Sequence, residues 1–172
     1  MISSCVLGNA AKSIVGTRRD EVYVAAVPLR ATKGPAQLLM STAYSFNLWD
    51  LQHFMVIINP NSSSLPSQAL VYDFQPQDPE SIAVAVAALS GRNVPGVVRM
   101  RTLKKLPTRK CWFAGYSKSD AIDAANKFNK GWETDLRIKH HDCRNYANGL
   151  VEYLTGTKAV LEHLRSSSVG KN

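Results

Sequence analysis

Residues 51–60, LQHFMVIINP, form a near-continuous apolar run that ends at an Asn-Pro pair. A run of this length, bounded by a turn signal, is typical of a strand buried within a sheet. The loop-like stretch NPNSSSLPS (59–67) follows, and residues 68–77, QALVYDFQPQ, again combine β-branched and aromatic side chains. The pattern therefore predicts an antiparallel hairpin over 51–75 with a long connection between its strands.

Further elements are predicted on both sides of this hairpin from apolar periodicity and from cap and turn residues. Asp78 and Ser119 are the predicted caps of two helices. The basic turn after residue 103 is expected to join its flanking strands into a second hairpin. Strands are predicted at 21–29, 94–103, 110–117 and 134–138, and helices at 34–47, 78–91, 117–132, 142–156 and 158–165. The predicted fold class is α+β, an antiparallel sheet with helices packed around it.

The length of 172 residues and the apolar share of 45% suit one well-cored domain. We place that domain at 21–165, with a flexible N-terminal extension at 1–20 and a polar tail at 166–172. No apolar run approaches the roughly 20 residues needed to cross a bilayer. A soluble protein is therefore expected.

The cysteines are few and odd in number, which argues against a disulfide framework and for a reducing compartment. They are Cys5, Cys111 and Cys143. We therefore expect an intracellular protein, cytoplasmic by default. The first 19 residues contain serines and basic residues but no acid, a composition that leaves organelle targeting open.

The net charge of +8 is concentrated in one segment, VVRMRTLKKLPTRK (97–110). Its six cations, with no acid among them, are Arg99, Arg101, Lys104, Lys105, Arg109 and Lys110. Such a patch would attract nucleic acid, an anionic membrane surface or an acidic protein. We favour the alternative of a solvated hairpin with basic outward positions, because the segment lacks interleaved aromatic residues.

Four residues suggest nucleophilic chemistry. Cys143 lies in the first turn of a predicted helix, where the helix dipole and free N–H groups favour a thiolate. His53 and Asp73 are polar residues on two apolar strands of one hairpin, so they could complete a Cys-His-acid triad. Gln52 could donate to a developing oxyanion. The alternatives are an ordinary buried cysteine, a core histidine with satisfied hydrogen bonds, and an aspartate that caps the following loop.

A metal site is the other chemistry that the cysteine segment could support. His140, His141 and Cys143 with a distant fourth ligand would suit zinc. The chain, however, contains no Cys-x-x-Cys pair, and the entry into a helix usually directs such histidines away from its first turn. We therefore expect no metal and no cofactor.

The segment HDCRNYANGLVEYLTG (141–156) resembles the nucleophile segment of the PPPDE family, permuted papain-fold thiol hydrolases that include deSUMOylating isopeptidases. The family pattern is His-Asn-Cys, an aromatic residue three positions after the cysteine, Asn, and then aromatic-Leu-Thr-Gly. The matching positions are His141, Cys143, Tyr146, Asn148, Tyr153, Leu154, Thr155 and Gly156. Asp142 stands at the position of the family's Asn, and the segment 59–67 replaces a glycine-rich stretch. Lecithin:retinol acyltransferase-like proteins carry a related segment.

The resemblance implies a circularly permuted papain-like fold of the NlpC/LRAT/PPPDE type. In that fold the catalytic histidine precedes the cysteine, which implies His53 as the base, Cys143 as the nucleophile and Asp73 as the third polar residue. The implied substrate is an amide or isopeptide on a protein, such as a ubiquitin-like conjugate. Two alternatives remain open: a thioester acyltransferase, and an inactive scaffold that binds an acidic partner through the basic hairpin.

Overall fold

The structure is a computed structural model that describes residues 19–28, 52–61 and 68–169. The helix predicted at 34–47 lies outside the described residues. So do most of the predicted N-terminal extension, residues 62–67 of the 59–67 connection and the last three residues of the predicted tail.

The described strands form one antiparallel sheet of six strands. They are β1 (Glu21–Pro28), β2 (Gln52–Asn59), β3 (Ala69–Pro76), β4 (Val94–Leu103), β5 (Cys111–Tyr116) and β6 (Asp135–Leu136). Their order across the sheet is β5-β1-β2-β3-β4-β6. The antiparallel pairing of β2 with β3 confirms the predicted first hairpin.

The predicted second hairpin is wrong. β4 pairs with β3 and β6, whereas β5 pairs with β1 at the other side of the sheet. The connection 104–110 is long enough to carry the chain across the sheet, so it does not have to turn back on β4. β5 then forms backbone hydrogen bonds with the side of β1 that β2 leaves unpaired. The basic segment is therefore a crossover and not a turn.

The described helices are α1 (Ile82–Leu89), α2 (Ala121–Lys130), α3 (Cys143–Thr155) and α4 (Val160–Val169). Both predicted caps lie too early. Ser81 and Asp120 cap the first two helices, because their side chains accept the N–H groups of Val84 (3.4 Å) and Asp123 (2.8 Å). The chain before Ser81 forms a turn, and α4 continues past residue 165 into the predicted tail.

The two faces of the sheet bury different clusters. α3 packs its apolar face, with Tyr146, Leu150 and Leu154 fully buried, against one face of β2 and β3. Strand residues of alternate parity line that face, as the two-residue period of a strand requires. They include Val22, Val24, Phe54, Val56, Ile58, Tyr72 and Phe74. The opposite face holds a smaller cluster of Ala25, Met55, Ile57, Ala69 and Val71.

The sheet opens between its two central strands at one end. β1 and β2 stay paired over all eight residues of β2, and β3 and β4 over all eight residues of β3. β2 and β3 pair with each other only through Val56–Ile58. The stretch 52–55 of β2 therefore has no ladder pairing with 73–76 of β3, and both His53 and Asp73 border this opening.

None of the helices in the described ranges is both long and apolar enough to span a membrane.

Candidate active site

Cys143 is the first residue of α3, and a capping box defines that helix start. The Asp142 side chain accepts the backbone N–H of Arg144 at 2.9 Å, while the Asn145 side chain accepts the N–H of Asp142 at 3.0 Å. The thiol is 8% exposed. The first N–H groups of a helix have no partner four residues earlier, and Asp142 satisfies that of Arg144.

The charge of Asp142, next to the thiol, is compensated locally. Its Oδ2 accepts from the guanidinium of Arg144 at 2.8 Å and from the N–H of Lys139 at 2.7 Å. Burial raises the pKa of Asp142, but the hydrogen bonds from Arg144 and Lys139 outweigh it and hold this pKa below its ordinary value. The Asp142 carboxylate is thus committed to capping and pairing.

His53 and Asp73 lie on the sheet face opposite the helices. Met55 on β2 and Val71 on β3 belong to the small cluster on that face, and His53 and Asp73 have the same parity as these neighbours. The Nε2 atom of His53 is 2.9 Å from Oδ2 of Asp73. Asp73 is only 1% exposed and the His53 side chain 15% exposed, so water competes weakly for this contact.

Cys143 reaches this pair through the opening between β2 and β3. Its side chain belongs to the cluster on the helix side, and its Sγ lies 3.8 Å from the backbone oxygen of Gln52. The Cys143 side chain is also close enough to His53 to contribute to the raised pKa of the imidazole. Because Nε2 of His53 faces Asp73, we assign Nδ1 as the nitrogen available to the thiol. The opening is what lets groups from opposite sheet faces meet.

The electrostatics of the site favour a charged imidazole. Burial lowers the pKa of His53, but hydrogen bonds and charge interactions with Asp73 and Cys143 outweigh that effect and raise the pKa to about 9. Burial raises the pKa of Asp73, and the contacts with His53 and Arg101 reverse this and lower it. At neutral pH the site therefore holds an imidazolium beside an ionised carboxylate.

The second oxygen of Asp73 is held from β4. Oδ1 accepts from the guanidinium of Arg101 at 2.9 Å, and the Arg101 side chain remains 55% exposed. The Gln75 amide, oriented with its nitrogen toward Asp73, donates to Oδ2 at 3.3 Å and accepts from Nε of Arg99 at 2.7 Å. Both carboxylate oxygens are therefore fixed, which fixes the direction in which Asp73 meets His53.

The backbone oxygen of Gln52 is the part of this residue that lies near the Cys143 thiol. Its side chain has the parity of the helix-side residues, and its Oε1 is buried without a hydrogen-bond partner among the residues that the structure describes. A buried amide with an unused polar atom is costly unless a further group engages it. Its predicted oxyanion role remains a prediction.

The two histidines before Cys143 are engaged elsewhere or exposed. His141 stacks on Trp132 with ring centroids 4.4 Å apart and bonds through Nδ1 to the backbone oxygen of Asp135. His140 is exposed. Within 19–28, 52–61 and 68–169, no group of three or more His, Cys, Asp or Glu residues could hold a metal ion. The zinc alternative gains no support there.

Sequence reasoning missed Arg101 and Gln75 as members of the site. Arg101 was visible only as one cation in a basic run, and its role depends on the register that sets β4 beside β3. Gln75 shares the parity of Asp73 two residues away, which is the one local signal that could have indicated it.

The comparisons with known proteins identify no relative. No family model matches the chain, and neither the curated proteins nor the solved structures include a significant match. Function must therefore be inferred from the geometry of the site.

Proposed function

We propose that the chain is a cysteine hydrolase of the permuted papain type, with Cys143 as nucleophile, His53 as proton carrier and Asp73 as the group that orients His53. One observation carries the proposal: a thiol at a helix N-terminus lies beside an imidazole whose pKa it helps to raise, and Nε2 of that imidazole is 2.9 Å from a buried carboxylate. This is the arrangement of nucleophile, base and orienting group that covalent catalysis by cysteine requires.

The first half-reaction forms an acyl-enzyme. The Cys143 thiolate attacks the carbonyl carbon of an amide, and the imidazolium of His53 gives its proton to the departing amine nitrogen as the C–N bond breaks. The high pKa of His53 keeps that proton available at neutral pH. Asp73 stabilises the imidazolium through the contact with Nε2 and keeps Nδ1 directed at the sulfur.

The second half-reaction returns the enzyme to its starting state. Neutral His53 takes a proton from water, the resulting hydroxide attacks the thioester carbonyl, and a carboxylic acid leaves as the thiolate re-forms. The backbone N–H at the start of α3 and the Gln52 amide are the proposed oxyanion donors. An amine or alcohol in place of water would make the same thioester an acyltransferase intermediate.

The reactivity of Cys143 provides the first test. Full-length protein would be alkylated with iodoacetamide at pH 6 and at pH 7, and the labelling of Cys143 and Cys111 would be followed by peptide mass spectrometry. We expect Cys143 to react at least about tenfold faster than Cys111, because His53 stabilises the thiolate and burial raises the pKa of Cys111. In His53→Gln this advantage should disappear. Equal rates in the wild type, or rates that His53→Gln leaves unchanged, would sink the hydrolase proposal.

Trapping of the acyl-enzyme separates catalysis from mere thiol reactivity. Wild-type protein would be incubated with peptide amides and isopeptide-linked ubiquitin-like conjugates, and its intact mass recorded after acid quench. A mass adduct on Cys143 that hydroxylamine removes supports the proposal, and Cys143→Ala serves as the blank. A reactive thiol that never acylates with any member of the panel would favour the inactive scaffold.

A further inference from the structure

The cations of the 97–110 segment lie on the sheet face that carries His53. Arg101 pairs across the ladder with Val71, and Arg99 with Asp73, so both side chains share the face of the small cluster. Leu106 of the crossover packs against that same cluster. We call this surface the basic face and define it by Arg99, Arg101, Lys104, Lys105, Arg109 and Lys110.

The crossover is short for the width of sheet that it spans. β4 and β5 are four strand spacings apart, about 19 Å at roughly 4.8 Å per spacing. The chain from Leu103 to Cys111 can reach about 26 Å when fully extended. Leu106 packs against the small cluster, and the polar residues on both sides of it face solvent. Lys104, Lys105 and Arg109 are accordingly exposed.

The basic face differs from the helix side in how its charges are balanced. Lys127 and Lys158 on the helix side pair with Asp123 and Glu152. Within the described ranges, Lys104, Lys105, Arg109 and Lys110 form no ion pair, and the one carboxylate bonded to Arg101 is buried beneath it. Beyond those ranges the sequence contains a single acid, Asp50. The basic face therefore keeps an excess of positive charge.

The aromatic residues beside the basic face and the chemistry of the neighbouring site both bear on which polyanion the face suits. Tyr23, Phe113 and Tyr116 stack edge to face on one another, with ring centroids 5.5 and 5.0 Å apart. Single-stranded nucleic acid needs open ring faces on which bases can stack. Phe113 and Tyr116 remain 49% and 52% exposed, so the rings alone do not exclude nucleic acid, which the test below includes as a competitor. The site next to the cations would act on carbonyl groups of a polypeptide, and this chemistry favours an acidic peptide segment.

We propose that the basic face docks an acidic segment of a polypeptide substrate and so delivers it to the Cys143–His53 site. This inference rests on the proposed function. Charge complementarity of this kind raises the rate of encounter and fixes the register of a partner, so the substrate should carry a cluster of Asp or Glu close to the acylated carbonyl.

The test compares two variants that lose the same charge from different sides of the molecule. Lys104→Gln/Lys105→Gln/Arg109→Gln removes three of the six basic-face charges without touching the site, and Lys127→Gln/Lys130→Gln/Lys158→Gln is the matched control. The probe is fluorescein-labelled decaglutamate, titrated by fluorescence anisotropy at 50 mM salt. We expect affinity to fall about tenfold or more in the first variant and less than about threefold in the control, since each exposed charge pair contributes modestly.

A second readout links the surface to the site. Saturating decaglutamate should slow the iodoacetamide reaction of Cys143 several-fold in the wild type and not in the basic-face variant at the same peptide concentration. Equal loss of affinity in both variants, or an unchanged alkylation rate in the peptide-bound wild type, would overturn the inference. So would tighter binding of ten-residue oligothymidylate, or of vesicles containing anionic phospholipid, to the same surface.

Failure of the proposed function is recognisable separately. His53→Gln should leave decaglutamate affinity within about twofold of the wild type, because the His53 side chain is only 15% exposed and its charge is paired with Asp73. If decaglutamate binds as expected while His53→Gln does not slow the alkylation of Cys143, the docking surface stands and the hydrolase proposal fails.

Discussion

The two faces of the sheet use opposite chemistry. On the helix side, strand residues such as Val24, Val56 and Phe74 meet Tyr146 and Leu150 of α3 in one continuous apolar cluster. On the other side a small apolar cluster borders a network of His53, Asp73, Gln75 and two arginines. The first face stabilises the fold through burial, whereas the second carries buried charge that is stable only because every member has a partner.

This difference separates stability from reactivity. Cys143 is the residue that belongs to both regions, because it starts the packed helix and reaches the polar network through the opening between β2 and β3. Changes on the helix face should therefore cost folding free energy without altering the chemistry of the thiol. Changes in the polar network should alter both.

Leu150→Ala should have the largest effect on stability. Leu150 is fully buried at the centre of α3 against the sheet, so its truncation should cost about 3–5 kcal/mol of unfolding free energy, measured by urea denaturation. Tyr153→Ala, on the exposed side of the same helix, is the matched control and should cost far less. Under native conditions the alkylation rate of Cys143 in folded Leu150→Ala should match that of the wild type. A clearly changed rate in this variant would contradict the proposed separation of stability from reactivity.

The pH dependence of stability should show the charged imidazole. The pKa of His53 is about 9 in the folded state, above its ordinary value of 6.5, so its contribution is fully present below pH 6.5 and is lost as pH rises through 9. The full shift corresponds to roughly 3 kcal/mol. Urea midpoints measured from pH 6 to pH 10 should fall across this window in the wild type and much less in His53→Gln.

The acid side of the same profile reports on Asp73. Its pKa is lowered by its contacts with His53 and Arg101, so this contribution is present above the ordinary aspartate range and is lost as pH falls through the lowered value. Wild-type stability that does not fall as the pH drops below the ordinary aspartate range would contradict a paired carboxylate at Asp73.

Asp73→Asn should lower the free energy of unfolding by about 2 kcal/mol, because the His53 imidazolium and the Arg101 guanidinium lose their buried counter-charge. Both cations are partly exposed, so water compensates for part of this loss. It should also slow the alkylation of Cys143 at pH 6 by roughly tenfold or more, since His53 loses its orienting contact. Asp123→Asn, at an exposed helix position, is the control for loss of a carboxylate. Slow alkylation in both variants would indicate a general charge effect.

Arg101→Gln should lower the free energy of unfolding by about 1 kcal/mol. This is the contribution of one hydrogen bond to a charged group when its donor is half exposed. Because the guanidinium helps to keep the pKa of Asp73 low, the acid limb of the stability profile should move to higher pH. Arg101→Lys should restore the position of that limb while losing the fork geometry. A profile identical to the wild type in Arg101→Gln would remove Arg101 from the network.

Lys127→Gln should have the smallest effect. Lys127 and Asp123 form an exposed pair one helical turn apart, and such pairs contribute little. The urea midpoint should remain unchanged within experimental error at pH 7. A clearly lower urea midpoint in this variant would show that the exposed Lys127–Asp123 pair stabilises the fold more than expected for a pair in contact with water.

Local pattern was sufficient for much of the architecture. The apolar runs around His53 and Asp73 identified two paired strands, and each polar residue was recognised as out of place in its run. The apolar spacing of Tyr146, Leu150 and Leu154 likewise identified α3, with Cys143 in its first turn. The cap positions failed because hydrogen-bond geometry at a helix start, and not residue type alone, decides where the helix begins.

Long-range pairing was beyond the reach of such patterns. The pattern predicted that β4 and β5 pair with each other, yet β5 lies at the far side of the sheet next to β1. The edge of β1 was unpaired, and the connection after β4 is long enough for β5 to reach it. The basic segment consequently became a crossover over the face of His53 instead of a solvated turn.

Residue type and periodicity identified the individual strands and the helix that begins at Cys143. Within each element they also indicated which side chains share a face and which polar residues interrupt an apolar run. The tertiary structure decided what those groups meet. Asp73 acquires Arg101 from β4, and Cys143 meets His53 from the other side of the sheet because β2 and β3 part beyond Val56. The physical reason is that periodicity is a property of neighbouring residues, whereas register, strand order and the opening between strands depend on the packing of the whole chain.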